Sequence, residues 1–387
     1  MLQMGLTPAM ATLCSAILFV PWVLKSFMRP WVSRVGHFRL VLHLVEAFLS
    51  VSILLLAFSF NKGTVAVFLA LLLVSMLCAW HELAARMCFE SSLRPAFQRL
   101  LTVPKHICSQ VTVIFTYGAL IFLVGTLQVY FRQMIRYSWS LGCYVAAGLF
   151  LLFSFLHLKT LATTQLPLLG SAPNTPDITQ GQSLRCSPKG EAERGLIILF
   201  LLLLPQALMF FTRVLYLYGT PTQGGLQCTM QEIGFAQGTV GVIAFSLGIA
   251  IGRWLIRRYT LPRLFWPMAL CIVLSPFVYL GMTIRPPQSL WELCCCTLTA
   301  QLLFGLGLGV CRLPISAISG TRYRNTINML QIPLVSAVML VPMAISGWLV
   351  EQLRFETYFL INALSAPVCL LGIFLLWKKT PVASFQM

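Results

Sequence analysis

The chain has 387 residues, of which 58% are hydrophobic and only 10% are charged. Soluble domains carry about 25% charged residues, so this composition excludes a water-soluble enzyme, a disordered protein and a coiled coil. Lys and Arg number 27 against 10 Asp and Glu, a net charge of +17, but they lie in short loops between apolar runs, which excludes nucleic acid as the partner.

The apolar runs predict transmembrane helices, because each can cross about 30 Å of hydrocarbon and none alternates in polarity as a barrel strand does. Eleven spans are expected, at 7–27, 40–60, 64–85, 110–130, 138–158, 195–217, 233–256, 264–284, 289–311, 326–350 and 357–377. The expected fold class is therefore an all-α polytopic membrane bundle.

Alternate loops differ in their basic residues, and this difference predicts orientation. The loops at 28–39, 86–109, 159–194, 257–263 and 312–325, together with the C-terminal tail, hold 19 Lys and Arg, whereas the loops of the other side hold 5. Basic residues are retained on the cytoplasmic side, so the C-terminus is expected inside and the N-terminus outside.

The longest loop, 159–194, is rich in Thr, Ser, Pro and Gly and has no hydrophobic periodicity, as a cytoplasmic linker would. It divides the chain into an N-terminal bundle of five spans (1–158) and a C-terminal bundle of six (195–387). The pattern of 5–34, a glycine, one span and a basic hairpin, recurs at 234–263. Because 234–263 is the second span of its half, the N-terminal half is expected to lack the first helix of a six-helix repeat, in the layout of major facilitator transporters.

Residues that would carry catalysis or hold a cofactor are missing from the sequence. The 13 cysteines include no C-x-x-C pair, and no P-loop motif occurs, so we expect neither a metal nor another cofactor. The string HELAA at 81–85 is similar to a zinc-protease motif, but Ala85 stands where the second histidine ligand is required. We therefore expect the protein not to be an enzyme.

Three stretches resemble the AmpG-like peptide, acetyl-CoA and drug transporters of the major facilitator superfamily, whose best-known member is a muropeptide permease. They are 21–34 (PWVLKSFMRPWVSR), 80–87 (WHELAARM) and 346–360 (SGWLVEQLRFETYFL). They are similar to the family's second helix and hairpin, the end of its fourth helix, and the junction of its last two helices. The chain departs from the family's acidic residues at Ser33 and Arg86.

The resemblance implies a secondary transporter, working by alternating access, that imports a polar peptidoglycan-derived sugar-peptide together with protons. It also implies the bacterial inner membrane, with the lipid bilayer, a small polar solute and protons as partners; we expect a monomer. One alternative is a transporter of another solute, such as a drug, a siderophore or an acyl-CoA. Another is a membrane sensor or degenerate protein that has lost transport, which Ser33 would fit.

Ionisable residues inside apolar spans are the candidate coupling residues, because each costs about 2.5–3.5 kcal/mol to insert unless it has a partner or a wet cavity. Glu46 has His43 three residues before it on the same helix face, an arrangement that could exchange a proton or merely hold helices together. Glu82, beside His81, could act in gating or be an interfacial carboxylate. Lys25 lies near a span end, where the resemblance favours a role in transport and composition alone favours snorkelling to the interface.

Arg213 lies deeper in its span and suits an anionic group of a substrate, with Tyr216 close enough in sequence to stack on a sugar or peptide. The alternative role for Arg213 is structural, as an arginine among the aromatic residues at the membrane interface. Four amides could bind a saccharide or join helices: Gln206, Gln301, Asn328 and Gln331. Five arginines match the family's gating hairpins and equally fit topology alone: Arg29, Arg34, Arg253, Arg257 and Arg258.

Overall fold

The computed structural model describes residues 2–25, 28, 38–92, 95–163, 189–259, 261–319 and 324–378. Within these ranges the chain is helical, with turns and no strand. Nine helices precede the last, very long one. They are α1 (Pro8–Lys25), α2 (Phe38–Ser59), α3 (Thr64–Ser92), α4 (Pro104–Tyr130), α5 (Ile135–Thr163), α6 (Lys189–Tyr218), α7 (Met230–Arg258), α8 (Leu261–Ile284) and α9 (Leu290–Ser316).

The last helix contains two crossings. Its apolar part, Gln331–Leu376, has 46 residues, about twice the length that one crossing needs. Arg354 breaks it, with φ 57° and ψ 160°, and its Nη2 donates a hydrogen bond of 2.8 Å to the carbonyl of Thr222. The segments 324–353 and 355–378 are therefore named α10 and α11. The described residues thus contain ten apolar helices long enough to cross a membrane, and counting the last of them as two gives the expected eleven crossings. The predicted all-α membrane bundle is confirmed.

Short irregular segments lie between and within these helices. Turns of 3-10 helix occupy Leu2–Met4, Pro221–Gln223 and Leu308–Cys311, and a short helix covers Pro95–Leu100. Two crossing helices contain a π-helical segment, Ile114–Ala119 in α4 and Gly234–Gly241 in α7. Such segments are rare and occur frequently at functional sites.

The apolar core is deepest around α6, where 56% of the apolar stretch is buried, against 11% in α4 and in α5. One core cluster contains Leu199, Phe265 and Ile272, and a second contains Tyr216 and Phe359. Apolar side chains on the outer faces of the helices are exposed and do not pack against other parts of the protein. In a membrane they face lipid, where an exposed leucine costs nothing.

The two halves of the chain pack most extensively along two helix pairs. In the first, α1 packs on α10, where Gly347 N–H donates 3.2 Å to the hydroxyl of Thr12 and Ala9 N–H donates 2.8 Å to Glu351 Oε1. In the second, the backbones of α4 and α7 touch at Gly118 and Gly238. In the sequence repeat, α1 of the first half corresponds to α7 of the second half, and α4 corresponds to α10. The contact of α1 with α10 is therefore equivalent to the contact of α7 with α4, as expected if the two halves are related by a two-fold axis.

Candidate coupling and binding sites

Glu46 of α2 is an acid buried in the bundle, with a side chain only 2% exposed. Its Oε1 lies 2.9 Å from Nδ1 of His157 and 3.3 Å from Nε2 of His81. Its Oε2 accepts a hydrogen bond of 3.3 Å from the hydroxyl of Ser154 and lies 3.6 Å from Nδ1 of His43. One carboxylate is thus surrounded by three imidazoles, and we call these four side chains the Glu46 cluster.

Helix geometry explains why these residues meet. His43 and Glu46 are three apart on α2, and Ser154 and His157 are three apart on α5, so each pair shares one helix face. Helix α2 packs on both α3, which supplies His81, and α5. The pairing of Glu46 with His43 that the sequence predicts is present, although at 3.6 Å it is the longest of the contacts.

The Glu46 cluster runs from the protein surface to the buried acid. The exposed fraction of the side chain falls from 54% for His157 to 28% for His81, 20% for His43 and 2% for Glu46. An imidazole can hold or release a proton near neutral pH, and a buried carboxylate is held more favourably when one neighbouring imidazole is charged. The histidines therefore connect the buried carboxylate to the exposed side chain of His157. Within the described ranges, no group of three or more His, Cys, Asp or Glu is arranged to hold a metal ion.

Lys25 and Glu82 form a direct ion pair between α1 and α3. The Lys25 side chain is 7% exposed and the Glu82 side chain 39% exposed. The ammonium group also lies 5.4 Å from the ring centroid of Trp22. Lys25 is thus buried against a carboxylate, and the side chain does not extend into water as a snorkelling lysine would.

Arg213 lies in the interior between the two halves, half-buried. Its guanidinium stacks on Phe210 at 5.0 Å, and Phe210 in turn contacts Phe19 of α1 edge-on at 5.5 Å. Its Nε is buried without a hydrogen-bond partner, and no described carboxylate pairs with it. Leaving a charge unpaired at such a position costs several kcal/mol, so this residue needs either water or a ligand.

Two phenol groups interact electrostatically with Arg213, those of Tyr117 in the π segment of α4 and Tyr279 of α8. Gln237, in the π segment of α7, donates from Nε2 to the Tyr279 hydroxyl at 3.1 Å. Gln301 of α9 lies beside the same hydroxyl. We call Arg213, Tyr117, Tyr279 and Gln237 the Arg213 group.

Two other residues predicted for a binding site have structural contacts instead. Tyr216 has 0% of its surface exposed, and its hydroxyl donates 2.9 Å to the carbonyl of Met282. Gln206, 4% exposed, donates 2.9 Å to the carbonyl of Ile272 and so joins α6 to α8. Neither side chain is part of the Arg213 group.

The remaining predicted residues lie at the linker-side ends of the helices. Arg253 and Gln331 line, with Arg312, a cavity of about 70 Å³ between α7, α9 and α10. Arg257 and Arg258 are exposed in the last turn of α7, where Arg258 lies 6.0 Å from the ring of Trp254. Three predicted residues are outside the described part: Arg29, Arg34 and the side chain of Asn328.

Sequence reasoning missed His157, Tyr117, Tyr279 and Gln237. A signal for His157 was present, because Ser154 and His157 are two polar residues three apart near the end of an apolar span. The residues of the Arg213 group come from four different helices. Which faces of those helices meet depends on helix rotation and on two π segments, and neither follows from hydropathy.

Comparison with solved structures finds membrane transporters of similar fold. The nucleoside transporter NupG aligns with a TM-score of 0.69 at 14% identity, over 97% of this chain and 92% of that one. The inward-open xylose transporter XylE from E. coli aligns with a TM-score of 0.63 at 12% identity, over 97% and 86%. A bacterial homologue of the iron transporter ferroportin, inward-facing, aligns with a TM-score of 0.58 at 13% identity, over 93% and 89%.

No protein-family model and no curated protein matches the chain. At identities this low the structural likeness establishes the fold and not the solute or the coupling ion. The described part of the chain, with its ten apolar helices, has the all-α membrane fold of these transporters.

Proposed function

We propose that the protein is a secondary transporter that imports a polar solute by alternating access, coupled to protons at Glu46. The observation that carries this proposal is the Glu46 cluster, a buried carboxylate linked to the surface by histidines. A structural acid would be satisfied by one fixed donor, whereas Glu46 has three imidazoles within 3.6 Å of its carboxylate. Ionisable residues at such depth typically mark proton relays in transporters.

The arrangement of the halves supports alternating access. The closest approach in each of the two helix pairs is at a glycine, which favours sliding of α1 on α10 and of α4 on α7. The solute would bind between the halves, near the middle of the membrane. The Glu46 cluster lies within the N-terminal half, on α2, α3 and α5, so a change in its charge can alter the packing of that half alone.

For the solute, the resemblance to AmpG-like transporters favours a peptidoglycan-derived sugar-peptide. The buried, unpaired Arg213 supports an acidic solute of this kind over a neutral sugar or a nucleoside. Siderophores and acyl-CoA are also acidic and remain the second candidates. A drug that is a cation would place like charge against Arg213 and is disfavoured.

The proposal is tested in proteoliposomes with a radiolabelled muropeptide, comparing the parent protein with Glu46→Gln and the control Glu356→Gln, which removes an exposed carboxylate. An imposed inward proton gradient should accumulate the solute with the parent and with Glu356→Gln. Glu46→Gln should lose this accumulation but keep counterflow, in which no net proton movement is needed. Accumulation by Glu46→Gln equal to that of the parent would refute coupling at Glu46. Absence of both activities in the parent would refute the solute.

A further inference from the structure

The Arg213 group brings together hydrogen-bond donors without a matching acceptor. The Arg213 guanidinium carries five N–H donors, of which the buried one at Nε has no hydrogen-bond partner. Tyr279 accepts at its oxygen from Gln237 and also lies beside the amide of Gln301. Tyr117 adds a second phenol that interacts electrostatically with Arg213, and it comes from the N-terminal half.

From this convergence we infer that the Arg213 group is a binding subsite for an anionic group of the transported solute, a carboxylate or a phosphate. The inference rests on the proposed function in one respect, since it names the part of the solute that the transport site would bind. A planar guanidinium matches such a group with two parallel hydrogen bonds, and two phenol protons can occupy its remaining lone pairs. The central carbon of the guanidinium lies over the Phe210 ring, 5.0 Å from its centroid.

The subsite includes residues of both halves. Arg213, Gln237 and Tyr279 belong to the C-terminal half, and Tyr117 belongs to α4 of the N-terminal half. Tyr117 is adjacent to Gly118, where the backbones of α4 and α7 touch. An anion bound here would therefore join the halves where they slide, and its binding depends on their relative position. This is the property that a solute site needs if binding is to be coupled to alternating access.

A structural arginine would have different contacts. Such a residue donates to backbone carbonyls or pairs with a carboxylate, as Arg354 does with the carbonyl of Thr222. Arg213 does neither among the residues described; its guanidinium lies over one aromatic face and interacts electrostatically with two phenols. The cation is thus held in place while its N–H groups stay available.

The test measures binding to purified protein in nanodiscs, with thermal stabilisation as the readout. The probes are N-acetylalanine, its uncharged amide, and inorganic phosphate, each against chloride at equal ionic strength. The variants are Arg213→Gln, Arg213→Lys and Tyr117→Phe, with Arg285→Gln as the control that removes an exposed arginine. None of these probes needs to be the transported solute, so the result is independent of the muropeptide assignment.

We expect N-acetylalanine or phosphate to stabilise the parent and the Arg285→Gln control more than the amide or chloride does. Arg213→Gln should abolish this preference, because the variant loses both the positive charge and the paired N–H donors of the guanidinium. Arg213→Lys should weaken anion binding at least about tenfold, since one charge-assisted hydrogen bond is lost. Tyr117→Phe should weaken it less than Arg213→Lys does.

Two results would overturn the inference: no anion stabilises the parent more than its neutral counterpart, or Arg213→Gln keeps the same preference as the parent. A melting temperature lowered in Arg213→Gln without any probe does not affect this comparison, because the readout is the difference between matched probes. If the anions bind but a muropeptide is not transported, the solute assignment fails and the subsite stands.

Discussion

Gly118 of α4 and Gly238 of α7 meet backbone to backbone, so that a Cβ atom on Gly238 would lie 2.5 Å from the Cα of Gly118. The same Cβ would overlap the carbonyl oxygen of Tyr117. Both glycines lie in π-helical segments, and both helices can approach this closely only because neither residue has a side chain. The contact therefore sets the distance between the halves beside the Arg213 group.

Gly238→Ala should push α7 away from α4, because no flexible side chain at the contact can move aside. Overpacking of this kind costs about 1–3 kcal/mol. We expect a lower melting temperature of the purified protein and weaker solute binding. The matched control is Gly148→Ala in α5, where an added Cβ meets nothing within 4 Å. Equal melting temperatures for both variants would show that the close contact does not hold in the membrane.

Gly347→Ala tests the other pair of helices, α1 and α10. A Cβ there would overlap the carbonyl of Pro8 and the hydroxyl of Thr12, and it would break the hydrogen bond from Gly347 N–H to Thr12. We expect the ends of α1 and α10 near Glu351 to separate, which cysteines at Ala9 and Glu351 would report as slower disulfide crosslinking. Gly281→Ala, which meets nothing within 4 Å, is the control. Unchanged crosslinking would contradict the packing of α1 on α10.

The sequence was sufficient for the fold because hydropathy alone identifies lipid-spanning helices. It predicted the break between the last two spans, which Arg354 makes in the structure. It also singled out Glu46, since a lone acid in an apolar span is conspicuous. The sequence does not predict that His81 and His157 lie beside this acid. Their helices are far apart in the chain, and the packing of the bundle sets how each helix is rotated. For the same reason Tyr216 was expected beside Arg213, although it lies in the core.

His157→Gln should slow proton exchange with Glu46, because an amide can donate a hydrogen bond to the carboxylate but cannot carry a proton. We expect proton-driven uptake to fall, with solute binding unchanged. His106→Gln, which removes a histidine outside the Glu46 cluster, is the control. The measurement is initial uptake rate against pH, and a profile identical to that of the parent would exclude His157 from the proton path.

The ion pair of Lys25 with Glu82 predicts rescue by exchange of charges. Lys25→Glu should place two carboxylates together and Glu82→Lys two ammonium groups, so each variant should lose stability and uptake. Because Glu82 is 39% exposed, the loss should be well below the about 3–5 kcal/mol of a fully buried pair. The double variant should recover part of both. Lys62→Glu, an exposed change of the same charge, is the control; no recovery in the double variant would mean that the two side chains act separately.

The substitution Tyr216→Phe tests whether Tyr216 is a core residue or a residue that binds the solute. The hydroxyl of Tyr216 is fully buried and donates to the carbonyl of Met282, while the ring packs against Phe355 and Phe359. Removing the hydroxyl leaves that carbonyl unsatisfied, which costs about 1–3 kcal/mol, so the melting temperature should fall. Anion binding should be unchanged, because Tyr216 is not in the Arg213 group. The comparison variant is Tyr279→Phe, which should weaken anion binding by removing one of the two phenol donors. The opposite result, in which Tyr216→Phe weakens anion binding and Tyr279→Phe does not, would contradict the Arg213 group. It would mean that the solute contacts Tyr216, which is close to Arg213 in sequence, and does not contact Tyr279.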